Sequence, residues 1–83
     1  MEKILIVEDD DTVRNELGSL LSKNGYEVLT TEDYLNVSSL IIEKVPNLVL
    51  LDINLPNKNG EILLKEIRKE SNVPIIMVTS RVG

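Results

Sequence analysis

Lys3-Ile-Leu-Ile-Val-Glu-Asp-Asp-Asp11 changes character at its middle. Lys3 to Val7 is a short, β-branched apolar run without polar alternation, the pattern of a strand buried on both faces. At Glu8 the chain turns acidic, and Asp10 or Asp11 is placed to cap a helix in which Val13, Leu17, Leu20 and Leu21 recur at helical spacing. Gly25, after Lys23 and Asn24, supplies the left-handed stop that ends many helices.

The same alternation continues outward. Tyr26 to Thr30 reads as a second strand, and Asp33 as the cap of a second helix that carries Leu35, Leu40 and Ile41 on one face and stops before Pro46. Leu48 to Leu51 is a third apolar run. The segment Asp52 to Gly60, rich in Asn, Pro and Gly, reads as a loop. Ile62, Leu63 and Ile67 then mark a third helix that ends before Pro74, and Ile75 to Val78 a fourth strand. Strands and helices in strict alternation predict an α/β fold, a doubly wound parallel sheet with helices packed on its faces. Such sheets carry their sites at the carboxyl ends of the strands.

Composition narrows the chemistry. Eighty-three residues make one domain at most, and a chain of this size buries only about 60% of its unfolded surface. Apolar residues make up 42%, with two Tyr and no Phe or Trp, so the core is built from Ile, Leu and Val. A net charge of −5 repels phosphate backbones and anionic lipid heads, arguing against direct nucleic-acid or membrane contact. Without Cys or His there is no thiolate or imidazole chemistry, which leaves carboxylates, hydroxyls, amides and lysines. No repeat or linker divides the chain, and no apolar run approaches a signal core or a membrane span, so a cytoplasmic protein is expected.

Polar residues gather at the predicted strand ends: Glu8 and Asp9 after the first, Asp52 after the third, Thr79 and Ser80 after the fourth. Three carboxylates about 4 Å apart repel pairwise by around 4 kcal/mol at an effective dielectric near 20, and a cation relieves that repulsion. Mg2+ suits such oxygens and leaves coordination positions for water and phosphate. A carboxylate can then attack phosphorus to give an acyl phosphate, and Thr79 is placed to donate a hydroxyl hydrogen bond to a phosphoryl oxygen. Simpler readings stand beside this one. Acids at Glu8 to Asp11 also suit a helix N-terminus, Asp52 can open a turn, and the Thr79 hydroxyl can bond to backbone.

In order and spacing these residues resemble the receiver domain of two-component response regulators, over the whole chain. Ile4-Leu-Ile-Val-Glu-Asp9 resembles the family's first strand and acidic pair, Asp52-Ile-Asn-Leu-Pro56 with Gly60 its phosphorylation loop, and Val73-Pro-Ile-Ile-Met-Val-Thr-Ser80 its fourth strand with the switch hydroxyl. The resemblance implies a flavodoxin-like receiver fold with Asp52 as phosphoacceptor for a histidine kinase. It also implies Mg2+ held by Glu8, Asp9, Asp52 and the Asn54 carbonyl, with Asp9 the more direct ligand, Thr79 as phosphate sensor, and Pro56 and Gly60 shaping the loop. Such a domain is a phosphoacceptor and not an enzyme, beyond promoting its own phosphorylation and dephosphorylation. The intact protein is expected to be a DNA-binding transcriptional regulator. Asn59 stands where the family often has Asp.

The family continues through a fourth helix, a fifth strand with a phosphate-contacting lysine and an aromatic switch residue, and a fifth helix. None has a counterpart before Gly83, so residues 1–83 are expected to be an incomplete receiver domain. Its exposed fourth strand would favour self-association by edge pairing or exchange of an element. Two other readings compete with this one. A haloacid dehalogenase-type phosphatase wants an acid two residues after the nucleophile, where this chain has Asn54, which cannot transfer a proton. A binding-only module would keep the acidic pocket as a vestige and dock partners on its helices.

Overall fold

A computed structural model describes residues 2–31, 34–55 and 58–78. The elements run β1 (Lys3–Val7), α1 (Asp11–Lys23), β2 (Glu27–Thr31), a 3-10 turn (Tyr34–Asn36), α2 (Val37–Lys44), β3 (Leu48–Asp52), a two-strand ribbon of β4 (Asn54–Leu55) and β5 (Lys58–Asn59), α3 (Gly60–Arg68) and β6 (Ile75–Val78). The four apolar runs form one sheet in the order β2-β1-β3-β6, every pairing parallel. Because the chain moves outward from β1 to β2 and then back across to β3, the strand order reverses between β1 and β3. That reversal opens a crevice at their carboxyl ends.

The sheet is packed on one face by α2 and α3 and on the other by α1 over β1 and β2, while the outer face of β6 stays open at Ile76. Leu5, Val7, Val49 and Leu51 point to one side and cluster with Val37 and Ile41 of α2 and Leu63 and Ile67 of α3. Ile4 and Ile6, at the alternate positions, are buried as well, on the side where α1 lies against β1 and β2. At about 25 cal/mol per Å2 of apolar surface, each of these buried side chains contributes roughly 1.5–3 kcal/mol relative to exposure.

Local chemistry sets the helix ends. Asp10 Oδ1 accepts the Val13 N–H at 3.0 Å, capping α1. At the other end Gly25 adopts φ 89°, its N–H bonds to Ser22 O at 3.1 Å and that of Tyr26 to Leu21 O at 3.2 Å. This paired closure needs a residue at ease in the left-handed region. It also takes Tyr26 out of β2, which starts one residue later than the sequence suggests.

The apolar phase of the helices departs from the sequence reading in three places. Leu35 lies in the 3-10 turn and is 83% exposed, because α2 starts only at Val37 and turns Val37 and Ile41 inward. Ile62 is 54% exposed, since Leu63 and Ile67, four residues apart, hold the buried stripe of α3. In α1, Val13, Leu17 and the exposed Leu20 line an open groove with Val78. The buried residue of that helix is Arg14. Asp33, expected as a cap, lies outside the described residues.

Candidate functional site

Parallel pairing brings the acids together. Val7 is in register with Leu51, so the next residue of each strand, Glu8 and Asp52, stands at the crevice. Glu8 is 1% exposed and Asp52 is fully buried, whereas Asp9 is exposed. One carboxylate oxygen from each of the three lies within 4.8 Å of the others. Thus two carboxyls form the floor of the pocket and the third stands at its mouth.

Backbone contacts hold the Asp52 end of β3 in place. Asp52 is in register with Val78, and Ile53 donates its N–H to Val78 O at 2.9 Å. On the other side the Gly60 N–H reaches Ile53 O at 3.1 Å. A Cβ at position 60 would sit 2.7 Å from Asp52 O and 2.8 Å from Ile53 Cα, so the start of α3 lies this close to β3 only because residue 60 is glycine. Asn59 caps that helix, its Oδ1 accepting the Glu61 N–H at 2.7 Å. Since Asn and Asp cap equally well, Asn59 leaves the loop closure intact.

The Glu8 side chain is under electrostatic load. Its Oε2 accepts the Asp10 N–H at 3.2 Å, and its buried Oε1 meets no donor among the described residues. Burial, followed by the hydrogen bond and charge of the neighbouring Asp52, pushes the Glu8 pKa up from 4.5 to about 7, against the lowering effect of the Asp10 N–H. Protonated, Glu8 can share its proton with Asp52. Ionised, it needs a cation.

These groups fit a hard divalent ion. With metal–oxygen bonds of 2.0–2.1 Å, octahedral ligands stand about 3 Å apart when adjacent and about 4.2 Å when opposite, so the acidic trio needs little movement to coordinate. Asn54 follows two residues after Asp52, at the start of the β4–β5 ribbon. Pro56 and Thr79 lie outside the described residues, although Thr79 directly follows Val78.

One polar contact was missed in the sequence. Arg14 Nη1 donates to the Glu8 carbonyl at 2.9 Å in a buried contact, and Nη2 pairs with the Asp11 carboxylate. The available signal was the spacing of Asp11 and Arg14, three residues apart, which ordinarily marks a surface ion pair.

The fold and the pocket define a flavodoxin-like α/β domain with an acidic site at its topological switch point. The chain belongs to the response regulator receiver domain family, which it matches over residues 4–82. It is 47% identical over 79 residues to a probable transcriptional regulator, ycf27, of Galdieria sulphuraria, covering 95% of this chain and 31% of that protein. Among solved structures it is similar to the BeF3-activated N-terminal receiver domain of RstA from Klebsiella pneumoniae, with a TM-score of 0.89 and 34% identity, covering 99% of this chain and 70% of that one. It is also similar to a chain in the complex of histidine kinase ThkA with response regulator TrrA, with a TM-score of 0.87 and 32% identity over 100% of this chain and 72% of the other. The chain spans about a third of the length of the curated relatives it matches.

Proposed function

We propose that Asp52 accepts a phosphoryl group from a histidine kinase, with Mg2+ held by Glu8, Asp9, Asp52 and the Asn54 carbonyl. The convergence of the three carboxyls within 4.8 Å at the ends of β1 and β3 carries this reading. The solved kinase–regulator complex supports the class of donor.

In the reaction a carboxylate oxygen of Asp52 forms a bond to phosphorus as the bond from phosphorus to the kinase's histidine nitrogen breaks, its electron pair leaving with the nitrogen. Bound Mg2+ supplies neutralising charge for the phosphoryl oxygens. Asp52 is aimed by the β3–β6 register and by the contact with Gly60, so the nucleophile has little freedom to lose. Asp9, exposed at the mouth, would hold the metal from the solvent side, and Glu8 would contribute to it only as the ionised carboxylate. Thr79, immediately after β6, donates its hydroxyl to a phosphoryl oxygen and so reports the modification. In the whole protein this signal controls transcription through a further domain, by analogy with the relatives named as transcriptional regulators.

The test is intact mass after incubation with acetyl phosphate, with and without Mg2+, for the wild-type chain and Asp52→Asn. One added phosphoryl group that needs both Mg2+ and Asp52 is expected. Equal uptake by Asp52→Asn, or none by the wild type, overturns the assignment.

A further inference from the structure

We propose that Arg14 is a positioning residue for the acidic site, tying the main chain at Glu8 to the first turn of α1 and so setting the turn from which Glu8 and Asp9 reach the metal. The proposal rests on the functional reading above.

A charged side chain is seldom the buried residue of an amphipathic helix, yet in α1 Arg14 holds that place, with its side chain only 11% exposed. Burial of a guanidinium is costly unless its donors are used. Here one arm holds the Glu8 carbonyl at 2.9 Å and the other the carboxylate of Asp11. Residues 8–11 are thus bracketed by a single planar group.

Inside that bracket two further bonds close the turn, from the Asp10 N–H to Glu8 Oε2 at 3.2 Å and from the Val13 N–H to Asp10 Oδ1 at 3.0 Å. The Glu8 carbonyl belongs to the peptide plane that ends at the Cα of Asp9, so fixing that oxygen fixes the base from which the Asp9 side chain projects. Asp9 is exposed, and without the clamp its carboxylate would lose more freedom on coordinating a cation. Asp11 balances the charge of Arg14, so the guanidinium acts mainly through geometry. Lysine would keep the charge but cannot present the two-armed fork.

The experiment measures the Mg2+ dissociation constant by NMR titration, with the metal-free melting temperature in parallel, for wild type, Arg14→Lys and Asp11→Ala. The expected result is roughly tenfold weaker Mg2+ binding in Arg14→Lys, the size typical of losing an outer support of a metal ligand. Asp11→Ala weakens binding in the same direction, and its ratio to wild type persists in about 1 M KCl, where charge effects are screened. A purely structural role would lower the melting temperature and leave the dissociation constant of the folded protein unchanged, and that result overturns the proposal. Should Arg14→Lys not fold, Asp11→Ala decides: an unchanged constant, or a weakening that vanishes in salt, refutes the clamp. A wild-type chain that binds no Mg2+ overturns the functional reading and this inference with it, whereas wild-type binding with unaltered variants overturns this inference alone.

Discussion

Gly60→Ala sets two effects of opposite sign against each other. Alanine gains up to about 1 kcal/mol of helix propensity over glycine, less in a first turn. Against this, the new Cβ would lie 2.7 Å from Asp52 O, 2.8 Å from Ile53 Cα and 3.0 Å from Ile53 O, where carbon contacts are comfortable only from about 3.5 Å. Relief therefore needs a shift of roughly 0.8 Å between α3 and the end of β3. Every obstructing atom is backbone, and β3 is paired on both sides. Overpacking of this kind costs about 1–3 kcal/mol, so a net loss of about 1–2 kcal/mol is expected. For a domain this small that lowers the melting temperature by roughly 4–16 °C. Gly18→Ala is the control: its Cβ would meet only Val28 Cγ1 at 3.6 Å, so it should raise stability through helix propensity. The assay is thermal unfolding followed by far-UV circular dichroism, with and without Mg2+. Displacing Asp52 should also weaken the Mg2+ response of Gly60→Ala. If Gly60→Ala melts at or above wild type, the close approach does not constrain the site and the reasoning fails.

Other outcomes follow from single features of the fold. Val45, a β-branched residue at φ 48° and 71% exposed, is strained, and Val45→Asn should stabilise by about 1 kcal/mol in urea unfolding; no gain would show that the turn tolerates valine. The metal-free melting temperature should fall as pH rises from 4.5 to about 7, and Glu8→Gln should flatten this profile; an equal slope in the variant would exclude Glu8 as its origin. Because β6 is an edge of the four-stranded sheet, with Ile76 51% exposed, light scattering at high concentration should give a dimer mass. A monomer mass there rejects edge pairing.

Strand positions were legible because β1, β3 and β6 are unbroken apolar runs between turn signals, which suit strands of a parallel sheet. The caps at Asp10 and Gly25 were legible too, since each depends on a side-chain property that survives any tertiary context. Helix faces were less so. Leu35 and Ile62 are as apolar as their buried neighbours, and only packing against the sheet decides which of them turns inward. The β4–β5 ribbon is two residues per strand, too short to carry a period. The acidic trio could be foreseen from strand-end positions, but Arg14 could not, because an arginine three residues after an acid normally marks a solvated pair.

The position of Glu8 joins the stability of the fold to its proposed ligand. Below about pH 4.5 its carboxyl is protonated whether the chain is folded or not. Between 4.5 and about 7 the folded state holds a proton that the unfolded state has released, so this contribution to stability is lost as pH rises and levels off above 7. A ligand that binds only the folded state at a hundred times its dissociation constant returns about 2.7 kcal/mol. Mg2+ bound at neutral pH would therefore offset part of what the ionised pocket costs, and more as its concentration rises. Protons and Mg2+ then compete for Glu8, and metal affinity should rise with pH up to about 7 and change little beyond it. An affinity independent of pH between 5 and 8 would mean that Glu8 is not a ligand, leaving Asp9 and Asp52 to hold the ion.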